Sequence, residues 1–195
     1  AERIVDGLVG ALEDVPGGME FLRAAATDPK VEVETRWWTL KEVGEPAIQW
    51  FDWPKLLASD DPILDKFGEA FFDEKVAAWV RGLSEAEQGP IFNAAKTSRS
   101  WKVRLWRIKA YPEGRADLLS VLKEALDDPE ELVRSSALRR LVGIQGQGRS
   151  KILIGLLDHP YAKRSETVDV DLVQLAAPES IEPLVKMFKD PDAGA

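Results

Sequence analysis

Cysteine is absent from the 195-residue chain. Its absence excludes disulfides, thiolate nucleophiles, iron–sulfur clusters and cysteine zinc sites, and it suits a reducing compartment. Histidine is nearly absent too, with His159 alone, so a metal site would have to be built from carboxylates. No metal, cofactor or catalytic residue is expected. No apolar run approaches the roughly eighteen residues needed to cross a bilayer, and no signal-peptide pattern opens the sequence. A cytoplasmic location, with export as the alternative, and no membrane contact are the expectations. Positive charge is in short supply: Lys and Arg number 26 against 34 Asp and Glu, for a net charge of −8. That balance argues against bulk affinity for nucleic acid or anionic lipid.

What is present is a repeat. Leu118 to Ile144 reads as two helices with a turn between them. Leu118, Leu119, Leu122 and Leu126 share one helical face. Asp127-Asp128-Pro129 ends that helix and starts the next, with Asp128 suited to accept backbone N–H bonds and Pro129 to a position that needs no N–H. Val133, Ala137, Leu138 and Leu141 form the second apolar face, and Gly143 ends it. The Asp-Pro or His-Pro step recurs at Asp28-Pro29, Asp61-Pro62, Asp128-Pro129, His159-Pro160 and Asp190-Pro191, at intervals of 33, 67, 31 and 31 residues. The long interval holds two units, and shifting the best unit back by 30 sets Ser98-Arg99 on the missing step and Val103-Arg104 on Val133-Arg134. Two helices per unit of this length is the arithmetic of a helical solenoid.

The spacing predicts a lead-in helix over Glu2–Glu13 within residues 1–17, Trp-rich irregular repeats over 18–111, and regular repeats over 112–195, all in one domain. The predicted pairs are Met19–Ala26 with Val31–Val43, Pro46–Ala58 with Pro62–Gly82, Ser84–Lys96 with Ser100–Ala110, the template, and Ser150–Leu157 with Tyr161–Ala176. Pro178–Phe188 begins a sixth. Ser84 and Glu87 have the spacing of a capping box. The short alternations at Val31–Val33 and Val168–Val170 fall in helical register and read as helix.

The pattern Leu-x-x-Leu, Asp-Pro, Val-Arg, Ala, Leu, Gly resembles HEAT repeats, and the short period is similar to the bacterial type seen in phycobilisome-lyase-like proteins. The match is closest over 112–191, fair over 19–82 and weakest over 84–110, where the Asp-Pro step is missing. The resemblance implies an all-α fold, a right-handed α-solenoid of about five helix pairs, whose second helices line a concave surface used mainly for binding proteins. It identifies an architecture and not an activity.

The candidate sites come from charge and aromatic pattern. His159 stands where Asp stands in the other turns, which points to a structural role. Gly143–Ser150 faintly resembles a phosphate loop but lacks the Gly-Lys-Ser/Thr ending and follows a helix, so it reads as an inter-repeat loop. Arg104, Arg134 and Arg164 recur every 30 residues. They fit either structural pairing with turn aspartates such as Asp128 or a basic stripe along the groove. Gln88 to Pro112 contains six bases (Lys96, Arg99, Lys102, Arg104, Arg107, Lys109) and no acid, a local charge of +6. Trp101 and Trp106 lie within it, and one of them should be core and the other exposed. Arg and Trp are the residue types that anchor interfaces. All seven tryptophans precede residue 107. Most should be core, yet the adjacent pair Trp37-Trp38, and Trp50 with Trp53, cannot all face inward.

The expected partner surface is therefore Arg99, Trp101, Lys102, Arg104, Trp106, Arg107, Arg134 and Arg164, on a monomeric, non-enzymatic scaffold that takes an acidic protein or peptide. Of the bases, Lys102 and Arg107 are the preferred contacts. The alternative is nucleic acid, because some HEAT-like proteins are DNA-base glycosylases with basic, Trp-bearing grooves. Their Trp-Trp-Asp signature is not met, since Thr39 follows Trp37-Trp38. A bilin lyase or chaperone is a third reading that the repeat type permits and no residue supports.

Overall fold

A computed structural model describes residues 2–12, 14–145, 149–163 and 181–188. Among these residues the chain is helical and contains no β-strand. The α-helices are α1 (Glu2–Leu12), α2 (Gly18–Thr27), α3 (Val33–Val43), α4 (Glu45–Ile48), α5 (Trp53–Leu57), α6 (Ala77–Gly82), α7 (Glu85–Thr97), α8 (Trp101–Ala110), α9 (Leu118–Glu124), α10 (Glu131–Gly143), α11 (Arg149–Leu156), α12 (Pro160–Lys163) and α13 (Ile181–Phe188). No helix among the described residues is long and apolar enough to cross a membrane. The chain divides into two compact units, Ala1–Pro112 and Glu113–Ala195.

The turns follow one rule. In the first three Asp-Pro steps the Asp side chain accepts a hydrogen bond from the backbone N–H two residues on: Lys30 to Asp28 at 2.9 Å, Ile63 to Asp61 at 2.9 Å and Glu130 to Asp128 at 2.8 Å. Pro supplies the fixed φ between them and has no N–H of its own to satisfy. At His159-Pro160 the same bond forms with a ring nitrogen, the Tyr161 N–H donating to Nδ1 at 3.2 Å. An imidazole lone pair does here what a carboxylate oxygen does elsewhere. Asp190-Pro191 lies outside the described residues.

The first unit departs from the predicted pairs in two places. Pro46–Ala58 is two short helices rather than one, because Asp52 caps a new start by accepting from the Lys55 N–H, and Pro54 sits in that first turn. Pro62–Gly82 is three pieces: a 3₁₀ turn over Pro62–Lys66, a π-helical turn over Phe71–Val76, and α6. Gly68 separates the first two, with φ +98 in the left-handed region that only glycine enters freely. The capping box forms as expected, with Ser84 Oγ accepting from the Glu87 N–H and the Glu87 carboxylate accepting from the Ser84 N–H. The ring of hydrogen bonds to Ser84 holds the Glu87 carboxyl below its ordinary pKa.

Aromatic rings fill the wider gaps left by these broken helices. Phe72 stacks on Phe67 at 4.1 Å and on Trp37 at 5.4 Å between ring centres, and Trp106 meets Phe67 edge-on at 5.4 Å. Two buried indoles also satisfy their N–H groups, Trp53 to the Ile48 carbonyl at 2.7 Å and Trp106 to the Phe72 carbonyl at 3.0 Å. Trp37, Trp53 and Trp106 are buried, while Trp38, Trp50, Trp79 and Trp101 are half-buried. Each pair that could not face inward together is thus split between core and rim. The second unit is built differently. Leu122 of α9 and Leu126 of the 3₁₀ turn after it (Ala125–Asp127) are buried with Val133, Ala137, Leu138 and Leu141 of α10, and Leu153 and Leu156 continue the core along α11.

One buried charge ties the first unit together. Arg36 is fully buried; its Nε donates to the Ala26 carbonyl at 3.0 Å, and its two Nη groups grip Asp61 at 2.7 and 2.8 Å. Burial pushes the Asp61 pKa up, but the bonds from Arg36 and the Ile63 N–H, with the Arg36 charge, outweigh it and hold the carboxyl below its ordinary 3.8. The Asp of an Asp-Pro turn here serves two helices at once.

A candidate binding cleft beside the basic helix

Helix α8 carries most of the predicted partner residues, and Val103, Trp106, Arg107, Ile108 and Ala110 form its buried side. Trp106 is 1% exposed and Arg107 is 6% exposed. Both were expected at the partner surface, and both belong to the interior. Trp106 is held by Phe67, Phe92 and the Phe72 carbonyl, and the Arg107 guanidinium lies 6.0 Å from the centre of the Tyr111 ring. Arg107 shares the inward side of α8 with Val103, Trp106 and Ala110 and is buried along with them. The aliphatic stem of Arg makes that feasible.

The other bases are engaged as well. Arg99 forms an exposed ion pair with Asp60. Lys102 donates from Nζ to the Asp65 carbonyl, and Lys109 pairs with Asp73 at 3.1 Å. Each of these partners lies 36 to 39 residues earlier in the chain. The +6 of Gln88–Pro112 is therefore not a free positive patch, because acids and a carbonyl from residues 60–73 answer it. The signal was in the sequence as an acid or acidic residue's carbonyl at that spacing before three of the six bases.

The 30-residue arginine ladder resolves into a backbone clasp. Arg104 Nη1 donates to the carbonyls of Ser98 and Arg99 at 2.9 and 3.1 Å. Arg134 Nη1 donates to those of Asp128 and Pro129 at 2.6 and 2.8 Å. The targets are the same two turn positions in each unit, main-chain oxygens rather than the Asp128 carboxylate. Arg134 further pairs with Glu131 and lies 5.0 Å from the centre of the Tyr161 ring. Tyr161 donates to Glu131 at 2.6 Å, and His159 Nε2 sits 3.2 Å from Asp127. Burial, then the hydrogen bond to Glu131, push the Tyr161 phenol up to about 12, and the Tyr161 and Arg134 bonds hold Glu131 below its ordinary value. This cluster joins α10 to the next turn. Arg164, like residues 146–148 of the glycine-rich loop and the alternation at 168–170, lies outside the described residues.

What the structure does bring together is a cleft of about 280 Å³ between residues 65–73 and α8. Trp101, Lys102, Leu105 and Lys109 line it from α8, above a floor of Phe67 and Trp106. Asp65, Glu69 and Asp73 line the opposite wall. Trp101 is half-buried here, the exposed partner of the buried Trp106. Arg99, Arg104, Arg107 and Arg134 do not line it. The Asp73 carboxylate gives Oδ2 to Lys109, while its Oδ1 is buried with no donor. Among the described residues no group of three His, Asp or Glu side chains is placed to hold a metal ion. No family model matches the chain, nor does any curated protein or solved structure.

Proposed function

We propose that the protein is a non-enzymatic binding module of HEAT-like helical repeats, and that it takes a protein or peptide segment in the α8 cleft. The observation that carries this reading is Trp101, a half-buried indole at the mouth of a cleft with an aromatic floor and polar walls. Such sites, apolar below and polar at the rim, are where interface anchors seat. The solenoid reading draws support from the four matching turns and the two arginine clasps set 30 residues apart. The same proposal takes the protein as a cytoplasmic monomer, for which the lack of cysteine is suitable. Nucleic acid is the weaker reading, because Asp65, Glu69 and Asp73 would face its phosphates.

The test is selection of short peptides from a random display library on the intact chain, followed by titration of the winners. Trp101→Leu keeps an apolar side chain and should leave thermal melting unchanged while weakening peptide binding at least tenfold, about 1.4 kcal/mol. Tight binding of duplex DNA with a steep salt slope, and no peptide that depends on Trp101, would overturn the reading.

A further inference from the structure

We infer that the occupant of the α8 cleft anchors itself with a cationic side chain, an arginine or lysine of the bound segment, set against Trp101 and the carboxylates of the opposite wall. The inference rests on the proposed peptide-binding reading and sharpens it, reversing the acidic partner that the +6 stretch favours in the sequence.

Three observations converge. The cleft is lined by three carboxylates against two lysines. The lysines are already committed, Lys102 to the Asp65 carbonyl and Lys109 to Asp73. An acidic ligand would have to break those contacts and face three like charges. The carboxylates are less fully met. Asp65 and Glu69 are exposed, and their carboxylates accept no hydrogen bond among the described residues, Glu69 having only a distant ion pair with Lys66 at 3.8 Å. Asp73 adds negative charge to the wall, with Oδ2 on Lys109 and Oδ1 buried without a donor. A guanidinium or ammonium supplies N–H groups and charge together. The Trp101 ring adds the face on which a cation rests best. Gly68 in the wall presents no side chain to block the approach.

The experiment uses the full chain with ¹⁵N-labelled tryptophan and follows the Trp101 indole N–H, assigned by its loss in Trp101→Leu. Three capped pentapeptides are titrated, Gly-Leu-Xaa-Leu-Gly with Arg, norleucine or Glu at the centre. The expected result is saturable movement of the Trp101 signal by the Arg peptide, with norleucine and Glu at least tenfold weaker. The double variant Asp65→Asn with Glu69→Gln, confined to exposed side chains, should weaken the Arg peptide at least tenfold at unchanged melting temperature. Equal binding of the three peptides, a preference for Glu, or an Arg peptide indifferent to the double variant would each overturn the cationic anchor and leave the cleft as a peptide site. If no peptide moves Trp101, the anchor and the peptide-binding reading both fall.

Discussion

The two units solve the same turn and fill their interiors differently. Both use the side-chain bond two residues past the Asp or His, and both clasp the turn with an arginine. In the first unit, however, helices break at Asp52, Gly68 and the π-helical turn, and rings occupy the resulting spaces. In the second, α9 and the 3₁₀ turn that closes it (Ala125–Asp127) pack on α10 largely through leucines. The difference teaches that what the two units share is their turns. The core adapts to whatever helical geometry lies between them, with large rigid side chains where the pieces are short.

The sharpest way to strain that comparison is to cut one core residue from each unit. Trp106→Ala removes a ring packed on Phe67 and Phe92 and strands the Phe72 carbonyl, and it should cost roughly 3–5 kcal/mol in urea denaturation. Leu138→Ala in the regular unit should cost roughly 2–4 kcal/mol, since its neighbours hold the cavity open on both sides. Tryptophan fluorescence reports the first unit alone, because all seven tryptophans precede residue 107, and circular dichroism reports both. A Trp106→Ala loss no larger than that of a surface change would show that the aromatic core is loose packing.

Acid separates the units next. Asp61 has a folded pKa lowered below 3.8, so its contribution is fully present above its unfolded value and is lost as pH falls through the lowered one. Asp61→Asn should therefore destabilise the protein at neutral pH and flatten the stability profile below about pH 4. A profile in which parent and variant stay parallel from pH 6 to 2 would contradict this account of the Arg36 pair.

Smaller effects test the turn rule itself. His159→Asn keeps an acceptor at the turn and should melt close to the parent, whereas His159→Ala should lose about 1 kcal/mol, as a lost cap does. Equal losses would show that the ring nitrogen is not the working atom. The smallest readout is the Tyr161 phenol. Absorbance titration should find one tyrosine ionising near 12, and Glu131→Gln should lower that value. A raised phenol pKa contributes stability present below the unfolded value and lost as pH rises through the folded one, so the variant should be less stable than the parent at neutral pH, with the difference closing at strongly alkaline pH.

Much of the helical order was legible because turn chemistry is local. Asp28, Asp61, Asp128, His159 and the Ser84 box could be read directly, and each does locally what its residue type permits. The split at Asp52 and the turn at Gly68 were legible in principle, as a cap and a left-handed glycine, but the helical period across them was given more weight. The cleft was not legible. Its acidic wall comes from residues 65–73, and a count of bases along one helix does not see acids that the fold brings beside it. Arg107 is opaque for a related reason: its charge shows in the sequence, and the turning of its side of α8 inward, with Val103, Trp106 and Ala110, shows only in the packing.

The arginine clasp has a consequence for which substitutions a turn can tolerate. Arg104 and Arg134 bind main-chain oxygens, and every residue carries one. The bond is therefore blind to the identity of the turn. Ser98-Arg99 has neither Asp nor Pro, and the Ser98 hydroxyl is buried with no partner, yet the clasp closes on the two carbonyls 30 residues before those of Asp128-Pro129. A turn that keeps its arginine can change its letters and still be held. Fidelity of shape is stored in one side chain, and the lettering around it is left free to diverge.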